Sequence, residues 1–198
     1  MRAEFVIRTN SISGLHKCGD DQNDATRCLT QGNRRLMNAE PVEIENLAAE
    51  SDLPAMIAAL QFANWGRSTG YGAAEEYERF LHDAARSSRL PAVLVAKRAG
   101  KFLGSVNLLV HEMTTHPSLS PWLAQLFVIE EERGRGVGTV LVRACLARFA
   151  ELGFPRVHLY TAASTTLPAY YAALGWKTIE QTEYLGKMRA VMAFDFPR

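Results

Sequence analysis

The chain is short of cysteine, of net charge and of long apolar runs, and each shortage removes a class of protein. Its three cysteines, Cys18, Cys28 and Cys145, are too few and oddly numbered for a disulfide framework, and no CxxC pair offers a zinc site. Cys145 lies within an apolar helical pattern, where a thiol reads as a small core side chain. The formal net charge of +1 gives no bulk field to recruit nucleic acid or a membrane surface. No basic helix or helix-turn-helix pattern points to DNA either. No apolar run approaches the roughly 20 residues that span a bilayer. The N-terminus, MRAEFVIRTNSISG, has too short an apolar core for a secretory signal. The expectation is a cytoplasmic protein with no metal.

What remains is an ordinary globular composition, 47% hydrophobic and 22% charged over 198 residues, which suits one domain with a tail. Residues 1–38 differ from the rest. The stretch GDDQNDATRCLTQGNRR is polar and poorly periodic, as expected of a poorly ordered N-terminal extension, with a short strand at residues 3–8. Met37 stands just before the regular pattern and is an alternative start, which would make residues 1–36 an upstream extension. Residues 39–198 then form the domain.

Strand and helix signals alternate through that domain. Val42–Ile44 reads as a strand, Leu53–Phe62 as a helix behind Ser51-Asp52, and Ala73–Ala85 as a second helix. Ala92–Lys97 and Phe102–His111 read as a hairpin turning at RAGK, and Trp122–Ile129 as a further strand. A helix is expected over Thr139–Leu152, capped by Gly153. Arg156–Thr161 follows as a strand, Leu167–Leu174 as a helix, and Lys177–Tyr184 and Arg189–Phe196 as the last two strands. The pattern βααβββαβαββ predicts an α/β (α+β) class: one mixed, mostly antiparallel sheet with helices on both faces.

One junction stands out. RGRGVG, residues 133–138, lies between a strand and a helix. The first N–H groups of a helix lack intrahelical partners and carry the positive end of its dipole. Glycines let an anion approach them without a Cβ in the way. The stretch therefore reads as a cradle for a phosphate or pyrophosphate, with Arg133 and Arg135 at its rim. A Walker A loop would need a lysine before Thr139, and neither register of the dinucleotide fingerprint GxGxxG fits.

VIEEERGRGVGTVL, residues 128–141, resembles motif A of the GCN5-related N-acetyltransferases, whose core Arg/Gln-x-x-Gly-x-Gly/Ala is matched by Arg133, Gly136 and Gly138. Glu130 stands where the family usually has proline. AYYAALGW, residues 169–176, resembles the family's second signature through Tyr170, Tyr171, Gly175 and Trp176. The asparagine that the family commonly carries upstream of this tyrosine is here Ser164, whose hydroxyl can still hydrogen-bond. The resemblance covers about residues 41–196.

It implies an acyl-CoA N-acyltransferase fold and acetyl-CoA as co-substrate. The pyrophosphate would lie on main-chain N–H groups of Arg133, Gly134, Arg135, Gly136, Val137, Gly138 and Thr139. The pantetheine arm would pair with a strand edge at Leu126–Val128, including Phe127, and touch Ser164. An N–H near Val128 would serve as the oxyanion donor. Tyr171 would protonate the departing thiolate, although Leu167, Tyr170, Tyr171 and Leu174 also read as a buried helical stripe. The general base is left open among Glu112, the first candidate, His111, His116 and a water chain through Gln125. The run Glu130–Glu132 reads as a solvated turn.

Trp65, Tyr71, Trp122 and Tyr184 are expected to line an acceptor pocket, with Glu75, Glu76 and Glu78 nearby, suited to a small, partly apolar cationic amine. The expected activity is acetyl transfer to a primary amine of a small molecule. A non-catalytic CoA-binding module, or a protein or peptide amine as acceptor, are the alternatives. Exposed strand edges near the C-terminus are compatible with a homodimer.

Overall fold

The computed structural model describes residues 40–197, so Cys18, Cys28, Met37 and the strand expected at 3–8 lie outside the described residues. The elements run β1 (Glu43–Asn46), α1 (Leu53–Trp65), α2 (Ala74–Arg86), β2 (Ala92–Arg98), β3 (Lys101–Leu109) and β4 (Trp122–Val128). After them come α3 (Val137–Glu151), β5 (Arg156–Ala162), α4 (Leu167–Ala173), β6 (Lys177–Tyr184) and β7 (Lys187–Asp195). The expected order holds, with element ends shifted by a few residues.

The strands form one sheet in the order β1-β2-β3-β4-β5-β7-β6. All neighbours are antiparallel except β4 and β5. Helices cover both faces. On one face Leu141, Val142, Cys145 and Phe149 of α3 and Tyr171 of α4 join Leu94, Val106, Leu159 and Met192 from the sheet in the main core. On the other, Ile57 and Ala58 of α1 and Tyr77, Leu81 and Ala84 of α2 pack on Val93 and Val95. Residues alternate between these two cores along β2, as a strand buried on both faces requires. Beyond α1 and α2, that second face is covered by the loop 110–121. Its Met113 and Leu119 pack with Trp122, Tyr184, Val191 and Tyr160. Cys145 is a buried free thiol, as its helical setting implies.

Two departures from regular pairing shape the middle of the sheet. β4 and β5 run parallel and share one registered pair, Trp122 with His158, at their starts. Beyond that pair the strands are no longer laddered, so the sheet opens toward their C-terminal ends. The β3–β4 register also slips between Ser105 and Asn107. The extra length falls on β4, where Gln125 takes a positive φ of 44°. This is a β-bulge, which bends its strand.

Two expectations shift and the expected hairpin turn holds. β3 stops at Leu109, which faces the first residue of β4, Trp122; with no partner beyond it, His111 and Glu112 fall in the loop. α3 starts at Val137 rather than Thr139, because Gly136 at φ 86° already supplies the carbonyl for the first helical bond, from the Val140 N–H at 3.1 Å. The turn Arg98–Lys101 is a tight hairpin, with Ala99 and Gly100 both at positive φ.

Candidate active site

The glycine stretch lies where the sequence analysis puts it, between the open end of β4 and the start of α3. Gly136 needs its glycine for conformation: at φ 86° a side chain is strained, although the space above it is empty. At Gly138 it is space that is tight. This residue lies within the first helical turn, and an added Cβ would stand 3.3 Å from the Tyr170 hydroxyl. That hydroxyl also meets Thr139 Oγ1 at 3.3 Å. The 15-residue helix begins with N–H groups that no helical carbonyl satisfies. With the unladdered edge of β4 beside them, these groups fit a phosphate-bearing ligand with an extended arm.

Arg133 is turned back, its Nε–H donating to the Val128 carbonyl at 3.0 Å. Arg135 is exposed and reaches Glu132 at 3.4 Å. Glu132 in turn receives Arg98 at 2.8 Å, so the acidic turn is partly an ion-pair hub rather than wholly solvated. Phe127 is buried and meets the ring of Trp65 edge-on at 6.0 Å. Val128 is half-buried beside the turn, and Ser164 is exposed in the loop before α4.

Tyr171 is buried, its ring edge-on to Tyr170 and Trp176. Burial pushes its phenol well above the ordinary range, with Tyr170 and Cys145 adding to the shift. A phenol so placed stays protonated at neutral pH and retains a proton to give.

On the opposite face, Glu112 sits at the end of a hydrogen-bond chain drawn from five other elements. Gln61 of α1 is fully buried; its Nε2 donates to Ser105 Oγ at 3.0 Å and to the Gln125 carbonyl at 3.3 Å. Its Oε1 accepts a short hydrogen bond from the Tyr77 hydroxyl of α2. Asn107 of β3 donates to that hydroxyl at 2.9 Å and to Gln125 Oε1 at 3.1 Å. Gln125 is thereby oriented with its Nε2 toward Glu112 Oε1, 3.2 Å away. The Tyr160 hydroxyl donates to the same oxygen at 3.4 Å.

Burial pushes the Glu112 carboxyl up to about 7, against the opposing pull of these two donors. Tyr71 is raised to about 12, by its own burial first and the Glu112 charge second. A carboxyl with pKa near 7 is matched to general-base work at neutral pH. The other candidates fare differently. His111 is exposed, and His116 is engaged with Glu180 at 3.1 Å and Thr115 at 2.8 Å. Gln125 is hydrogen-bonded directly to Glu112.

The expected pocket walls divide. Trp65 and Tyr71 are half-buried, but Trp122 is completely buried, its Nε1 donating to the Leu119 carbonyl at 2.8 Å. Tyr184 is also buried, in the same cluster. Both are core under the loop 110–121 rather than open walls. Glu76 closes the turn before α2 by accepting the Gly72 N–H at 2.9 Å, and Glu78 lies 3.7 Å from His82.

Sequence reasoning missed Gln61, Tyr77, Asn107 and Tyr160. A signal was present for two of them. Gln61 falls one helical turn after Ile57 on the buried face, and Asn107 interrupts the apolar run FLGSVNLL. A polar side chain on a core face needs partners there.

Residues 57–176 match the acetyltransferase (GNAT) family. No curated protein matches the chain in sequence. Among solved structures, aminoglycoside 6'-acetyltransferase type Ii is 18% identical at TM-score 0.61, over 79% of this chain and 99% of that one. An aminoglycoside 6'-N-acetyltransferase complexed with coenzyme A is 17% identical at TM-score 0.60, over 79% and 98%. The PaiA N-acetyltransferase of Thermoplasma acidophilum, in complex with coenzyme A, is 18% identical at TM-score 0.52, over 79% and 99%. The glycine turn, the parted strands and the matched segment agree: this chain belongs to the GNAT acetyltransferase family, whose co-substrate is acetyl-CoA.

Proposed function

We propose that the protein is an acetyl-CoA-dependent N-acetyltransferase that moves the acetyl group directly to a primary amine of a small molecule. The observation that carries this reading is Glu112, a carboxyl raised to about 7 and held by Gln125 and Tyr160 on the acceptor face of the parted strands. That two similar structures are aminoglycoside acetyltransferases supports a small amine as acceptor.

A free alkylamine has a pKa of about 10 and arrives as an ammonium. Glu112 takes its proton. The neutral nitrogen then attacks the thioester carbonyl, forming the C–N bond. The oxygen gathers negative charge, which a β4 N–H near Val128 stabilises. The C–S bond breaks, Tyr171 gives its proton to the leaving sulfur, and the second proton of the nitrogen, released as the amide forms, restores the phenol. The glycine turn holds the pyrophosphate through the backbone of 133–139, and Phe127, Val128 and Ser164 flank the pantetheine arm.

The test is CoA thiol release from acetyl-CoA against a panel of amines, amino acids, polyamines and aminoglycosides. Release that depends on one amine class is expected. No release with any of them, from protein that acetyl-CoA still protects against heat, would overturn the reading in favour of a binder without chemistry or a macromolecular acceptor.

A further inference from the structure

Arg189 is a charged group on the face that carries Tyr160, and the mechanism leaves it unused. It lies on β7, registered between Ala162 of β5 and Thr182 of β6. Strand alternation puts it on the same face as Val191, which packs with Trp122, Tyr184 and Tyr160. Its guanidinium carbon stands 5.4 Å from the centre of the Tyr160 ring. Its Nε is buried without a hydrogen-bond partner, and no carboxylate among the described residues comes within ion-pair distance.

Other arginines show that this is unusual here. Arg86, Arg98, Arg135, Arg148 and Arg156 each reach a carboxylate. Arg79, Arg89 and Arg143 do not, but they are exposed and water serves them. Arg189 is half-buried, so part of its hydration is lost, with the Tyr160 ring against it but no hydrogen-bond partner for Nε.

Tyr160 links it to the reacting end. The ring faces the Arg189 guanidinium, and the hydroxyl of the same residue donates to Glu112. A carboxylate and a guanidinium are thus held around one tyrosine without meeting each other. That arrangement complements a molecule with an ammonium at one end and an anion nearby.

We propose that Arg189 binds a carboxylate of the acceptor, so that the substrate class is an amino acid or a related amino-carboxylate. The assignment rests on the acetyltransferase reading above. The acceptor's ammonium goes to Glu112, and its carboxylate takes the planar donors of Arg189, whose fork matches two oxygens. Simple alkylamines, polyamines and aminoglycosides lack the group that Arg189 recognises.

The experiment measures CoA thiol release by the full chain with matched acceptors: lysine against 1,5-diaminopentane, and phenylalanine against phenethylamine. At least one carboxylate-bearing member is expected to exceed its partner by about 10- to 100-fold in kcat/KM, the size of a charge-assisted hydrogen bond. Arg189→Met, which keeps the apolar stem over Tyr160, is expected to bring that ratio toward one through the acceptor KM. Arg189→Lys keeps the charge without the fork and is expected to fall between. Heat protection by acetyl-CoA verifies that each variant is folded. A wild-type ratio near one, preferential use of an aminoglycoside, or a ratio that survives Arg189→Met would overturn the Arg189 assignment while leaving the enzyme standing. No release with any of these acceptors or with an aminoglycoside would overturn the enzyme reading itself, and this assignment with it.

Discussion

On the proposed function, the donor side of the cleft would rest on one unbroken stretch, residues 133–139, acting mainly through main-chain N–H groups at the start of α3. The acceptor side would rest on side chains. Gln61, Tyr77, Asn107, Gln125, Glu112 and Tyr160 come from six separate segments and meet only because the sheet is folded. The difference teaches where each side is vulnerable. A backbone cradle tolerates changes of side chain but not of conformation. A side-chain chain fails at any link, because each buried donor or acceptor depends on the next.

Substitutions can break that contrast, and the largest effect is expected at Glu112. Glu112→Gln keeps an oxygen that can accept from Gln125 and Tyr160, and removes the proton acceptor. The rate should fall by about 10²- to 10⁴-fold, measured as CoA release at saturating acetyl-CoA. Wild-type turnover in that variant would break the contrast at once. Tyr171→Phe should come next: the ring still packs on Trp176, and only the hydroxyl is lost. Its kcat should fall with little change in the KM for acetyl-CoA; an unchanged kcat would remove the tyrosine from the chemistry.

Tyr77→Phe probes a link remote from the reacting atoms. It leaves Gln61 Oε1 without its donor and Asn107 Nδ2 without one acceptor, at a stability loss of about 1–3 kcal/mol by denaturant titration. Gln125 loses part of its support, so the rate should fall as well; a loss of rate without loss of stability would show that the link matters only for orientation. On the donor side, Gly136→Ala forces a side chain to φ 86°, a strain of about 1–2 kcal/mol. The KM for acetyl-CoA should rise while the acceptor KM holds. Arg135→Ala is the smallest case. Its exposed pair with Glu132 is worth about 0–1 kcal/mol, and a large rise in the acetyl-CoA KM would show that the rim charge matters more than the backbone.

The pKa of Glu112 also sets a stability trend. Its folded value, about 7, lies above the 4.5 of an unperturbed glutamate. Between those values the native state binds more protons than the unfolded state, so this group's contribution to stability falls as pH rises through that window. Glu112→Gln should therefore raise Tm more at pH 8 than at pH 5, opposite to its effect on rate. A gain that is equal at both pH values would mean that the carboxyl is not desolvated.

The two sides also differ in how much of them can be read from sequence. The glycines lie within one short stretch between strand and helix, so the turn itself, with Gly136 at positive φ opening α3, is legible from local backbone rules. Element order is legible as well, because hydrophobic period and turn residues are local. Glu112 is legible only as a candidate, since its importance comes from Gln125 across the β4 bulge and from Tyr160 on β5. The bulge at Gln125 has no glycine to mark it. Trp122 and Tyr184 look like pocket walls in sequence because an aromatic ring does not reveal whether a loop covers it; here 110–121 does. Arg189 reads as one more surface charge until its missing partner can be seen.

The most direct test of the central claim, that Glu112 is the base, is the pH dependence of kcat/KM in wild type and Glu112→Gln, with two acceptors of different amine basicity. The account predicts a rise through a midpoint near 7 that both acceptors share, and its loss in Glu112→Gln together with most of the rate. A midpoint that follows the basicity of the amine, or one that persists unchanged in Glu112→Gln, would contradict it.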